Sequence, residues 1–311
     1  MRFNKLSVKD KTVFDKYMAL GCHELSPYAF ENIYIWKGLF DIEWLILKGS
    51  LCVFFRDKFG CFLYLSPLTE KINPGIVRGV FKILDKFNKN KEISRIENVE
   101  AKDKVFYEKL GFVCRVKSSD YVCERQSLEN LKGNRFKSKR AGFNYFVKRY
   151  KFEYLPFSSK YKDECLKLYD AWKGERKSQN KDLIYQGMLE DSYTCLENVL
   201  GAYKDLGLVG RVVRILPEMS LVESNLEPLK SASLAGFTFG FKLNSDTFCV
   251  LYEVTNLAIK GLAQFIFREF CSELKGYRYI NIMDDSGLEN LKKVKLSYHP
   301  ERLVPAYIVT R

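Results

Sequence analysis

The chain has 311 residues, 47% of them hydrophobic, with 51 Lys and Arg against 38 Asp and Glu and a formal net charge of +13. The apolar share excludes wholesale disorder, the length favours two domains over one, and no run approaches the eighteen consecutive apolar residues of a membrane span. The opening "MRFNKLSVKDKTVFDKY" lacks the apolar core of a signal peptide, and nine cysteines without a Cys-x-x-Cys pair read as free thiols in a reducing cytoplasm rather than as disulfides or a metal site.

In chain order, Ser7 caps a helix predicted to reach Leu20, with Asp10 at the N3 place and Gly21 as its stop. Ser26-Pro27 opens a second helix, "PYAFENIYIWKG", because proline at the first helical position loses no needed hydrogen bond. Strands are expected at 42–48, 51–56 and 61–65, then an amphipathic helix at 75–89 from its three-and-four apolar spacing. A strand at 93–99, a helix at 101–109, Gly111 and a strand to 124 complete one α/β layer. The pattern then restarts: a helix at 134–150, a strand at 151–156, and helices at 160–174 and 181–205. Strands follow at 208–216, 234–243 and 246–254, split by a loop at 217–233. A helix at 261–275, the strand "YRYINI", a helix at 287–295 and the strand "RLVPAYIVT" end the chain. The repeated order predicts two similar α/β domains with central mixed sheets, 1–128 and 129–311, with the helix 134–150 as connector.

The positive charge favours a polyanionic partner, nucleic acid or an anionic membrane surface. It is concentrated in "LKGNRFKSKRAGFNYFVKRYK" at 131–151, which has eight basic residues and no acid. Arg135, Lys139, Arg140, Lys148 and Arg149 are therefore the candidate phosphate contacts, while Phe136, Phe143 and Phe146 either stack on bases or pack inward.

Three stretches carry a family resemblance: "SPYAFENIYIWKGLF" at 26–40, "LKGNRFKSKRAGFNYF" at 131–146, and "YEVTNLAIKGLAQFIFREFCSEL" with the "YRYINIMDDSGLENLKKVKLSYHPERL" that follows it. Over nearly its whole length the chain resembles the C-terminal synthase domain of phosphatidylglycerol lysyltransferases, itself similar to the Fem aminoacyltransferases with two acetyltransferase-like (GNAT) domains in tandem. The resemblance implies a tandem GNAT fold, aminoacyl-tRNA as donor substrate in place of a bound cofactor, and Glu253, Asn256, Asn281, Asp285, Lys295, Ser297 and Tyr298 at family-like positions. It further implies that Trp172 and Arg176, in "WKGERK", line the acceptor pocket. The chain departs from the family where Arg-Glu usually follows Tyr-Ile-Asn and Ile282-Met283 stands instead.

GNAT enzymes hold a pyrophosphate on backbone amides at a strand-to-helix junction, in the order Gln/Arg-x-x-Gly-x-Gly/Ala. Glycines 75 and 79 have the wrong spacing for it. Gly261 and Ala263 keep half of the motif, with Ala258 where Gln or Arg belongs. That half-motif leaves either an anion-accepting helix end or a plain helix entry. Glu253, ending a buried strand, and Asp285, Lys295 and Tyr298 after it, form the candidate catalytic set. A carboxylate orients or deprotonates the acceptor, Lys295 neutralises charge and Tyr298 protonates the leaving oxygen. A structural ion-pair network explains the same residues. Of the two histidines, His23 reads as a loop residue, and His299 before Pro300 as a shaper of the backbone. The function expected is an aminoacyl-tRNA-dependent aminoacyltransferase. The alternatives are a coenzyme A-dependent N-acyltransferase, or a non-catalytic module that binds nucleic acid or a membrane surface.

Overall fold

A computed structural model describes residues 2–217 and 232–311, so most of the loop expected at 217–233 lies outside the described residues. The chain runs through β1 (Asn4–Lys5), α1 (Lys11–Met18), α2 (Phe30–Tyr34), β2 (Asp41–Leu47), β3 (Ser50–Arg56), β4 (Cys61–Leu63), α3 (Pro74–Phe87), β5 (Ile96–Glu100), α4 (Ala101–Lys109) and β6 (Val113–Glu124). It continues with α5 (Arg125–Asn130), α6 (Lys137–Arg149), β7 (Phe152–Pro156), α7 (Lys162–Gln179), α8 (Leu183–Gly201), β8 (Val209–Ile215), β9 (Ser233–Lys242), β10 (Thr247–Thr255), α9 (Leu262–Glu273), β11 (Tyr279–Asn281), α10 (Glu289–Leu296) and β12 (Arg302–Thr310).

Local chemistry explains most boundaries. Asp10 takes the Ser7 amide at 2.8 Å, completing the capping box ahead of α1. The helix expected from Pro27 begins only at Phe30, because Ala29 is extended (φ −135°, ψ 139°) and holds the preceding residues out of the helix. Between β2 and β3, Lys48 and Gly49 both have positive φ (52° and 83°), the two-residue turn whose twist matches antiparallel strands. Asn73 caps α3 by accepting from the amides of Gly75 and Ile76.

Two compact units form, and they do not follow a single cut after residue 128. One comprises the chain up to Val122 with Ile282–Leu296 and Glu301–Arg311; the other comprises Cys123–Asn281 with Ser297–Pro300. The reason is strand pairing. β12, expected to close the second domain, pairs antiparallel with β5 (Tyr307 opposite Val99) and with β6 (Val304 opposite Asp120). Its Val309 is buried with Phe54, Leu84, Val99 and Tyr107 in the first unit's core.

The strand order in the first unit is β1-β2-β3-β4-β5-β12-β6, parallel only between β4 and β5. α3 lays Ile76, Val77, Val80, Phe81, Ile83 and Leu84 into its core, each fully buried side chain contributing about 1.5–3 kcal/mol gross. In the second unit the order is β11-β10-β9-β8-β7, parallel only between β10 and β11. There Phe146 of α6 packs with Val213 and Ile215 of β8 and Leu262, Phe265 and Ile266 of α9. Both units are mixed α/β, as expected. Among the described residues no helix is long and apolar enough to cross a membrane.

Glu97 in β5 is buried between Arg95 Nε and Lys117 Nζ, each at 2.6 Å. Burial alone pushes its carboxyl up, and the two cations more than offset this, so its pKa lies below the ordinary glutamate value. A depressed folded-state pKa gives stability that is complete above the unfolded value and is lost as pH falls through the folded one. Glu97→Gln is expected to cost about 1–3 kcal/mol at neutral pH and to flatten the loss of melting temperature below about pH 4. Thermal unfolding across that range decides it: an unchanged acid limb assigns the effect to other carboxylates.

Candidate active site

α6 divides its residues by helical face. Phe136, just before it, and Phe146 are fully buried, and Phe143 stacks on Phe265 of α9 with ring centroids 5.8 Å apart. The aromatics therefore pack inward. Of the five cations picked from the sequence, Arg135 and Lys148 are exposed, and Arg149 lies over the Tyr145 ring at 5.7 Å. Arg140 is taken up locally, donating to the carbonyls of Leu131 and Gly133 in the α5–α6 turn. Lys139 turns inward.

The Lys139 ammonium sits 3.9 Å from the centroid of the Tyr298 ring, and that buried ring lies 4.5 Å from Phe267 of α9. Burial lowers the Lys139 pKa, with the charge of Glu253 opposing the shift. Burial raises the Tyr298 phenol well above the ordinary tyrosine value, and Glu253 raises it further. Three chemistry-bearing groups from α6, β10 and the Ser297–Pro300 segment thus sense one another within the second unit.

The course of β10 explains where Glu253 lies. Val250 opposes Gly240 but Tyr252 opposes Phe239, so Leu251 is bulged out of register. β11 pairs only with Thr247–Cys249, so β10 runs past the end of its parallel neighbour before it reaches Glu253. The Tyr252 hydroxyl donates to the Ser192 carbonyl of α8 at 2.7 Å, and alternation puts Glu253 on the opposite face.

Gly261 precedes α9 with φ +86° and is buried; a Cβ there would lie 2.2 Å from the Gly142 carbonyl oxygen of α6. A Cβ on Gly142 would in turn meet Gln264 Oε1 at 2.8 Å. The two glycines let α6 and α9 approach, so close packing accounts for the half-motif at 261–263. Ala263 is half-buried in the first turn of α9. Asn256 shapes the preceding loop: its amide donates to the Ala235 carbonyl and its side chain accepts from the Ala258 amide. Asn281 is fully buried in β11 opposite Cys249, and Ser297 is half-buried. On α7 the Arg176 guanidinium lies 5.4 Å over the Trp172 ring, which packs against Tyr169.

Asp285 and Lys295 belong to the first unit, so the four residues of the sequence-based catalytic set divide two and two. Asp285 accepts from the Tyr121 hydroxyl at 2.5 Å and from the Gly287 amide at 2.9 Å. Burial first, and Asp285 second, push the Tyr121 phenol up to about 12. Lys295 donates to the Ile282 carbonyl. At the Ile282-Met283 departure, Ile282 donates to the Tyr121 carbonyl, Met283 accepts from the Tyr121 amide, and Met283 takes a positive φ of 60°. Sequence reasoning missed Tyr121 because its partner is 164 residues away and nothing local marks it. Lys139 had a legible signal: with Phe143 and Phe146 it stands at i, i+4 and i+7, on the helix face that packs inward.

Gly261→Ala is expected to destabilise the protein by about 1–3 kcal/mol through overlap with α6. Chemical denaturation measures it, and wild-type stability would return Gly261 to a role other than packing.

Solved structures share this fold over the full chain. A conserved protein of unknown function from Bacteroides thetaiotaomicron matches with a TM-score of 0.84 at 23% identity, covering 100% of this chain and 99% of that one. L-PGS from Bacillus licheniformis matches at 0.63 and 14% identity, covering 97% and 92%. A tandem GNAT protein from the clavulanic acid biosynthesis pathway matches at 0.53 and 10% identity, covering 99% and 97%, which makes the fold GNAT-like. No curated protein matches the chain. Residues 23–310 match the family model described as phosphatidylglycerol lysyltransferase, C-terminal, and the chain belongs to that family.

Proposed function

We propose that the protein is an aminoacyltransferase that passes the aminoacyl group of an aminoacyl-tRNA to an amine or hydroxyl acceptor. The observation that carries this reading is the grouping of Glu253, Lys139 and Tyr298 in the second unit. Family membership supplies the acyl-transfer context. The donor ester is already activated, so positioning and electrostatic help suffice without a nucleophilic side chain.

In this reading Glu253 takes the proton of the acceptor as its nitrogen or oxygen attacks the ester carbonyl. Lys139 stabilises the oxyanion that forms. As the carbon–oxygen bond to the ribose breaks, Tyr298 hands its proton to the departing oxygen, and the proton taken up by Glu253 passes to the Tyr298 phenolate, so that both groups return to their starting state. The raised phenol pKa suits Tyr298 to this task, since the group stays protonated until the leaving oxygen develops charge. Asp285 and Lys295 are assigned the shaping of the 282–288 turn in the first unit, where their hydrogen bonds lie.

The exposed cations Arg135 and Lys148, with Lys132 and Lys137 beside them, are the proposed tRNA phosphate contacts. Trp172 and Arg176 remain the proposed acceptor contacts. The coenzyme A alternative has less support, because the start of α9 at Gly261 is covered by α6.

Glu253→Gln, Tyr298→Phe and Lys139→Met are each expected to lower transfer from aminoacyl-tRNA about 10²-fold or more while the melting temperature holds. A structural network predicts the reverse, a fallen melting temperature with activity per folded molecule retained. Ligand-induced shifts in melting temperature give a separate check, and stabilisation by acyl-coenzyme A but not by charged tRNA would overturn the donor.

A further inference from the structure

A cation held 3.9 Å from a ring centroid requires both of its segments to be fixed, and Lys139 and Tyr298 come from distant parts of the chain. Lys139 lies in the first turn of α6, where the Arg140 guanidinium pins the approaching chain by donating to the carbonyls of Leu131 and Gly133. Phe267 of α9 lies 4.5 Å from the Tyr298 ring. Neither of these contacts joins the two segments. The residue after Tyr298 does.

His299 Nε2 lies 3.1 Å from the carbonyl oxygen of Arg135, four residues before Lys139. A carbonyl only accepts, so Nε2 carries the proton and donates. The imidazole also stands edge-on to Phe136, with centroids 5.2 Å apart, and Phe136 is buried at the entry to α6. The contact is made under strain. His299 has a φ of 53°, and the proline after it favours extended backbone at this position. A left-handed residue there persists only when its surroundings hold it, and the Arg135 carbonyl and the Phe136 ring are what hold it.

We infer that His299 is a positioning residue: its hydrogen bond to the Arg135 carbonyl holds the Tyr298 phenol against the Lys139 ammonium. The inference deepens the proposed transfer reaction and rests on it for its functional meaning, although the tie itself is independent of any activity. His299 moves no proton in the reaction. It is exposed, so the bond contributes little to the global fold, and its effect is on where the neighbouring ring lies. That effect is large enough to read, because displacing a catalytic group by about 1 Å costs up to about 10²-fold in rate.

Three variants of the full chain separate the bond from the backbone. His299→Gly accepts the positive φ and removes the donor, His299→Leu removes the donor and keeps bulk, and His299→Gln returns an N–H donor at a similar reach. With aminoacyl-tRNA as donor substrate, kcat is expected to fall about tenfold in the first two with KM nearly unchanged, and to recover in His299→Gln. A second readout needs no activity: titration of the Lys139 ammonium by NMR on isotopically labelled lysine, with Lys139→Met identifying its signal. Burial holds this pKa down, so release of the Tyr298 ring is expected to raise it in His299→Gly and His299→Leu, and His299→Gln to restore it. An unchanged Lys139 titration in both donorless variants would overturn the inference, whatever their activity. A raised titration in a protein whose wild type transfers nothing would retain the tie and overturn the reaction proposed for it.

Discussion

The close approach of α6 to α9 is the constraint on which the candidate site depends. Two glycines, one on α6 and one at the start of α9, remove the side chains that would hold the helices apart. Phe143, Phe146 and Phe265 then fill the seam with stacked rings, and Lys139 is carried inward on the same helix face. A lysine ammonium over a buried tyrosine ring, near a carboxylate, is costly to desolvate and is tolerated because the aromatic face and Glu253 both attract it. Packing thus precedes chemistry here: the helix seam sets the position of the cation.

Strand and helix signals were legible wherever they were local. Helix 101–109 and the strand 302–310 were read to the residue, since Gly111 stops the first and turn residues bound the second. α5 was missed because six residues carry too little period to be seen. α2 was overestimated because the Ser-Pro entry signal does not report that Ala29 stays extended. The family and the GNAT-like fold were legible through matched stretches near both ends of the chain.

The site was legible in part, and for a physical reason. Glu253 and Tyr298 could be picked out as a carboxylate and a phenol at element ends. Their neighbour Lys139 was hidden inside a run of cations whose charge pointed to solvent, although its helical phase pointed inward. Asp285 and Lys295 lie close to Tyr298 in sequence but belong to the first unit, because only the four residues Ser297–Pro300 there belong to the second while the segments on either side belong to the first. Such a crossing has no sequence signature. His299, with a φ of 53° just before Pro300 and its ring edge-on to Phe136, marks the place where the chain turns back.

The placement of β12 has a consequence for how the molecule is made. A ribosome releases the strands of the first unit early, yet the strand that lies between β5 and β6 is synthesised after every element of the second unit. Until it arrives, β5 and β6 lack their common partner, and the pocket for Val309 among Phe54, Leu84 and Tyr107 stands open. Vectorial folding from the N-terminus, the usual course for tandem domains, is therefore unavailable to this unit. The nascent first half must wait as an incomplete sheet with an exposed apolar gap, and that interval is when chaperones have the most to bind.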